Sequence, residues 1–150
     1  MEKLTFNTRI NANRETVWAV LWGADTYPQW TSAFCEGSHA VTDWQQGSKV
    51  LFLDGNGSGM VSRVAENIPH EYMSFEHVGE VKNGVEDTES EQVIAWAGAH
   101  ENYTLKTVHN YTELLVEMDS ATIPEEFKSF FLQTWPLAMD KIKTLAEAQV

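Results

Sequence analysis

Leu4, Phe6, Thr8 and Ile10 alternate with Thr5, Asn7 and Arg9, which is the two-residue period of a half-buried strand. The period changes at Asn13, whose side chain can cap a helix by accepting from the N–H of Thr16. Val17, Trp18, Val20, Leu21 and Trp22 then form a helical stripe. Gly23 is expected to close this helix as a left-handed C′ residue. A second short helix is predicted directly after it. Asp25 or Thr26 would cap it, Pro28 suits its first turn, and Trp30, Ala33 and Phe34 supply its apolar side.

From about Ser38 to Asp119 the pattern is that of antiparallel strands. Val50 and Phe52 are separated from Val61 and Val64 by Asp54-Gly55-Asn56-Gly57-Ser58-Gly59, a turn or loop. Asn67 to His70 is a second connection. A strand over Tyr72 to Val78 sets Tyr72, Ser74 and Glu76 opposite Met73, Phe75 and His77. Glu80 to Ser90, polar and centred on Asn83-Gly84, is expected to be a long turn or exposed hairpin tip. Further strands are predicted over Val93 to Ala97, Tyr103 to Val108 and Leu114 to Met118, with Asn110-Tyr111-Thr112 turning between the last two.

The final periodic segment is the longest. Thr122 and Glu125 have capping-box spacing, and Pro124 falls in the first turn. Phe127, Phe130, Phe131, Ala138, Ile142 and Leu145 share a face, with Trp135, Leu137 and Met139 beside it. Pro136 removes one helical hydrogen bond and is expected to kink the helix midway. A helix with a one-sided aromatic face needs a concave partner, and a curled antiparallel sheet offers one. The expected class is therefore α+β. Such a sheet need not close completely on its helix, and the gap between them is a place for a small-molecule cavity.

Length and composition narrow the function. The chain has 150 residues, 43% of them hydrophobic, with 4 Pro and 9 Gly, so one domain with a substantial core is expected. Lys and Arg number 10 against 22 Asp and Glu, a formal charge of −12. No basic cluster is present to offset that charge, so neither nucleic acid nor an anionic membrane surface is an expected partner. Met1 to Thr5 lacks the apolar core of a signal peptide, and no apolar run approaches the ~20 residues that span a bilayer. A cytoplasmic location and a monomer are the expectations.

The segment Asn13 to Leu21 (NRETVWAVL), then Tyr27-Pro28-Gln29-Trp30, then Asp43 to Val50 (DWQQGSKV), resembles the START/Bet v 1-like (SRPBCC) superfamily. Gly59 and a final helix carrying Trp135, Met139, Ile142 and Leu145 continue the resemblance. Within the superfamily the match is to the branch related to the C-terminal domain of the Hsp90 ATPase activator. Two positions depart from that pattern: Asn13-Arg14 replaces the usual proline before the first helix, and Met139 replaces a leucine. The resemblance implies a helix-grip fold, in which a curved seven-stranded antiparallel sheet wraps a long C-terminal helix, with two short helices after the first strand. It also implies that a small hydrophobic molecule is held between sheet and helix. Some relatives carry out cyclisation, dehydration or hydrolysis in that cavity, and the named branch adds a chaperone as a possible partner. Ligand binding is the preferred expectation, because the apolar residues concentrate where a cavity is expected and no catalytic geometry is legible.

Candidate chemistry is sparse. His39, His70, His77, His100 and His109 lack metal-ligand spacing, and the single cysteine, Cys35, lies beside Glu36, which would raise its thiol pKa. No nucleophile elbow or phosphate loop occurs, so no cofactor, metal or catalytic residue is assigned. His77, on the strand face of Met73 and Phe75, and Glu101 are the candidate bases if the cavity does proton chemistry. The richest signal is aromatic, with six Trp in the chain. Trp18 and one of Trp22 or Trp44 are expected in the core. Trp30, Trp96 and Trp135 are expected to line the cavity with Phe34, Phe52, Phe75, Phe131 and Met139, and with His77 as a polar wall group.

Overall fold

The computed structural model describes residues 3–121 and 123–149. Thr122, expected to form half of a capping box, lies outside them. The chain runs β1 (Lys3–Ile10), α1 (Arg14–Trp22), α2 (Tyr27–Thr31), β2 (His39–Val41), β3 (Lys49–Leu53), β4 (Gly59–Ile68) and β5 (Tyr72–Lys82). It continues through β6 (Val85–Asp87), α3 (Glu91–Ile94), β7 (Ala99–Val108), β8 (Tyr111–Asp119) and α4 (Glu125–Glu147). Seven strands form one antiparallel path, β1-β8-β7-β5-β4-β3-β2, and the three-residue β6 pairs with β5 beside it. With α4 packed against β1, α1 and α2, this is the helix-grip α+β fold.

Local chemistry explains most of these elements. Asn13 Oδ1 accepts from the Thr16 N–H at 2.8 Å and starts α1. In β8 every second residue is buried, and Thr112, Leu114, Val116 and Met118 form its inward row. Asn83 and Gly84 both take positive φ, which suits the tight two-residue turn between Lys82 and Val85. Two register irregularities lie between β4 and β5: Val78 is unpaired immediately after His77, and Ala65 is unpaired between Val64 and Glu66. Each such extra residue bends and twists its strand, which is how a sheet curls around a helix.

Several expectations are corrected. Gly23 has φ −69°, so it is not a left-handed cap. Its requirement is space: a Cβ there would stand 2.5 Å from the Ala19 carbonyl oxygen and 2.6 Å from Thr26 Oγ1. Thr26 donates that hydroxyl to the Val20 carbonyl and so ties α1 to α2. Val93 to Ala97 is not a strand. Ser90 accepts from the Val93 N–H and caps the short helix α3, while a turn carries the chain through Trp96 and Ala97. The seventh strand of the path is instead β2, too short for its period to be read. Glu80 to Ser90 is partly strand, since β5 reaches Lys82 and β6 follows the turn. The last hairpin turns at His109 and Asn110, and Tyr111 and Thr112 already belong to β8.

The core is aromatic at one end and aliphatic at the other. Trp22 packs on Trp18, Tyr27, Trp44, Phe75 and Tyr103, with ring centroids 4.9–6.5 Å apart. Ile10, Val17, Val20, Leu21, Leu114, Val116, Ala138 and Ile142 are fully buried. Helix α4 runs through Pro136, and only part of its expected apolar face meets the core. Trp135, Ala138, Met139, Ile142 and Ala146 are buried, whereas Phe127, Phe130 and Leu137 are exposed. No helix among the described residues is long and apolar enough to cross a membrane.

Candidate functional site

The exposed phenylalanines of α4 mark where helix and sheet part. Phe127, Phe130 and Phe131 overhang an open cleft of ≈ 1050 Å³, bounded by the inner face of the sheet, α2 and the first turns of α4. That volume lies just above the ~300–1,000 Å³ range common for small-molecule sites. Trp135 stands at the seam, where the overhang becomes packed helix. It is stacked on Phe6 at 5.7 Å and lies 5.0 Å from Phe34 and 6.0 Å from both Trp30 and Tyr103.

The expected lining residues divide in two. Trp30, Phe34, Phe52, His77, Trp96, Phe131 and Trp135 all border the cleft, whereas Phe75 and Met139 do not. Phe75 is fully buried behind Phe52, and Met139 is packed beneath α4. Trp30 is nearly fully buried and donates its indole N–H to the Leu21 carbonyl at 3.1 Å, so it forms floor rather than wall. Trp96 reaches the cleft from the turn after α3. Tyr27, Tyr103, Phe127 and Phe130 also border it and were not among the expected lining residues. Tyr103 had a readable signal, since it stands two residues from Glu101 on the same strand face.

One polar station interrupts these walls. Ser62 on β4 pairs directly with His77 on β5, and Glu101 on β7 lies diagonally from His77, because its own partner is Phe75. Diagonal neighbours on one sheet face are within reach of long side chains. Ser62 Oγ is 2.6 Å from His77 Nδ1, and His77 Nε2 is 3.2 Å from Glu101 Oε1. Tyr103 donates its hydroxyl to Glu101 Oε2 at 2.5 Å. A carboxylate only accepts, so Nε2 carries the imidazole proton, and in the neutral ring Nδ1 accepts from the Ser62 hydroxyl. Ser62 is buried and does not border the cleft; it sets the orientation of His77.

Burial, reinforced by the adjacent Glu101 carboxylate, pushes the Tyr103 phenol well above its ordinary value, so it remains a donor. Tyr27 is raised for the same leading reason, with Glu101 and Cys35 adding to it. At the rim, Asp54 accepts from the backbone N–H groups of Ser58 and Asn56, which hold its carboxyl below the usual range. Gly59, beside it, opens β4 where a Cβ would lie 1.8 Å from the Phe52 carbonyl oxygen. His100 faces Asp119, with Nδ1 3.7 Å from Oδ2, and does not meet His77 in a shared pair. No group of three or more His, Cys, Asp or Glu among the described residues is arranged to hold a metal. The arrangement can bury apolar surface, and it can donate or accept a proton at one place.

Known proteins share this architecture. The chain is similar to the Aha1 dimer from Colwellia psychrerythraea, with a TM-score of 0.75 and 20% identity over 98% of this chain and 97% of that one. It is similar to protein MLL2253 from Mesorhizobium loti, with a TM-score of 0.73 and 15% identity over 99% of each chain. DynU16, a protein of the dynemicin biosynthetic locus, gives a TM-score of 0.69 and 15% identity over 98% of this chain and 48% of its own. These likenesses establish the fold. No curated protein matches the sequence. Residues 11–147 match the family model described as Activator of Hsp90 ATPase homolog 1-like protein, and the chain belongs to that family.

Proposed function

We propose that the chain binds a small, largely apolar molecule, of the lipid, polyketide or aromatic-metabolite class, in the cleft beneath the first turns of α4. The supporting observation is the overhang itself: Phe127 and Phe130 stay half-exposed on the helix face that packs elsewhere, above a space bordered by Phe34, Phe52, Phe131 and Trp135. Filling that space removes apolar area from water at ~25 cal/mol per Å², and the station at His77, Glu101 and Tyr103 orients the occupant. Tryptophan-fluorescence titration with a panel of phospholipids, fatty alcohols and polycyclic aromatics tests the reading. At least one class is expected to give a saturable change in emission, and a panel without saturation overturns it.

Acid–base catalysis in the same cleft is a second reading, favoured by the 3.2 Å His77–Glu101 contact. There His77 or Glu101 exchanges a proton with a bound substrate during cyclisation, dehydration or hydrolysis. His77→Gln is expected to abolish turnover, and unchanged turnover removes His77 from the reaction. Family membership supports a third reading, contact with an Hsp90-type chaperone, for which co-purification with that ATPase is the test.

A further inference from the structure

Resting on the reading of the cleft as a ligand site, we infer that it selects an apolar or aromatic molecule carrying a protonated amine and turns carboxylates away. The basis is the sign of every ionisable group around it. Asp54, Glu80, Glu101, Asp119 and Glu126 border the cleft together with His77 and His100, and no lysine or arginine does among the described residues. At the rim two of these carboxylates have basic neighbours. Lys82 Nζ lies 3.6 Å from Glu80, and Asp119 faces His100. Glu101 is different. Its partners are an imidazole and a phenol, neither of them a fixed cation, and its side chain is only 17% exposed.

Each Glu101 oxygen accepts one hydrogen bond, which leaves further lone pairs for a donor entering the cleft. An ammonium there adds the attraction of opposite charges to the charge-assisted hydrogen bond that an alcohol also makes with the same oxygen. The surrounding rings add to it. Phe52 lies 6.2 Å from His77, Tyr103 lies 6.0 Å from Trp135, and aromatic faces attract cations. A fatty-acid or aromatic carboxylate instead gives up its hydration and meets a like charge, with no lysine or arginine among the described lining residues to receive it. The formal charge of −12 on the whole chain steers in the same direction.

Three probes with one scaffold separate the possibilities: 1-pyrenemethylamine, 1-pyrenemethanol and 1-pyrenecarboxylate, followed by fluorescence anisotropy near neutral pH. The amine is expected to bind about tenfold more tightly than the alcohol, with the carboxylate weakest. Glu101→Gln is expected to bring amine and alcohol to within about threefold of each other. Equal affinity for amine and carboxylate overturns the selection and leaves the cleft reading standing. Binding by none of the three overturns the cleft reading itself. An amine preference that survives intact in a folded Glu101→Gln chain overturns the assignment to Glu101. The ranking on the unaltered chain does not depend on how any variant folds.

Discussion

His77 Nε2 and Glu101 Oε1 are 3.2 Å apart on adjacent strands, with their side chains only 11% and 17% exposed. The register between β5 and β7 alone puts this pair together. The contact places a proton-bearing imidazole against an acceptor inside an otherwise aromatic cleft. It also makes Ser62 and Tyr103 its supports, one on each side.

Ser62→Ala removes the hydroxyl that His77 Nδ1 accepts from. A loss of about 1 kcal/mol is expected in urea denaturation, from one buried hydrogen bond. The His77 ring is expected to keep its Nε2–H, which Glu101 fixes, and to lose its single orientation, seen as broadened ring resonances and weakened contacts with Phe52. A ring that keeps its line widths and contacts without Ser62 contradicts the positioning role.

The first turn and the middle of α4 are expected to respond differently to truncation. Trp135→Ala opens a hole at the seam between four aromatic neighbours and is expected to cost about 3–5 kcal/mol. Phe127→Ala, on the overhang, is expected to change stability by no more than about 0.5 kcal/mol while weakening any bound apolar ligand. Comparable stability losses in the two variants mean that the overhang is packed after all.

Gly59→Ala puts a methyl 1.8 Å from the Phe52 carbonyl, where backbone and not a flexible side chain is in the way. β3 and β4 must separate locally, at a cost expected to exceed about 2 kcal/mol. Thermal denaturation and exchange of the Phe52–Met60 pair amides measure it. A variant of unchanged stability with intact pairing contradicts the close approach.

Alkaline stability follows from Tyr103 and Tyr27, whose phenols are both raised above the ordinary 10.0. In the unfolded chain they ionise near that value, and in the folded chain they hold their protons. Their contribution is therefore fully present below about pH 10 and is lost as the pH rises further. The fall approaches ~1.4 kcal/mol per pH unit for each such group. Difference absorbance is expected to show these two phenols ionising together with unfolding, and Tyr103→Phe is expected to flatten the fall.

Cys35 is exposed and borders the cleft. Its alkylation by a maleimide is expected to slow several-fold when the cleft is saturated by a ligand found in the titrations. Conversely, a bulky adduct at Cys35 is expected to weaken that ligand. Independence of the two events would place the ligand elsewhere.

Much of the fold is legible in the linear pattern because it rests on neighbours in sequence. Asn13 caps α1 through Thr16, β8 alternates every second residue, and Asn83-Gly84 turns a hairpin, all within a few residues. The misreadings come where two patterns are locally alike. Val93 to Ala97 is too short for its apolar residues to show a period, and Ser90, outside that window, decides for helix. Gly23 looks like a cap, but its reason is space, since the Ala19 carbonyl and the Thr26 hydroxyl are packed where a Cβ would go.

What the chain's own order of residues determined is the set of elements, the acidic balance and the aromatic stock, since each depends on side-chain type and short-range spacing. The tertiary structure alone decided which aromatics are floor, wall or core. Phe127 and Ile142 share a helix face, yet one overhangs a space and the other is sealed, because only β1, α1 and α2 determine how far along α4 the packing extends. It also decided that Ser62, His77, Glu101 and Tyr103 meet, because strand register joins positions whose separation in sequence carries no signal.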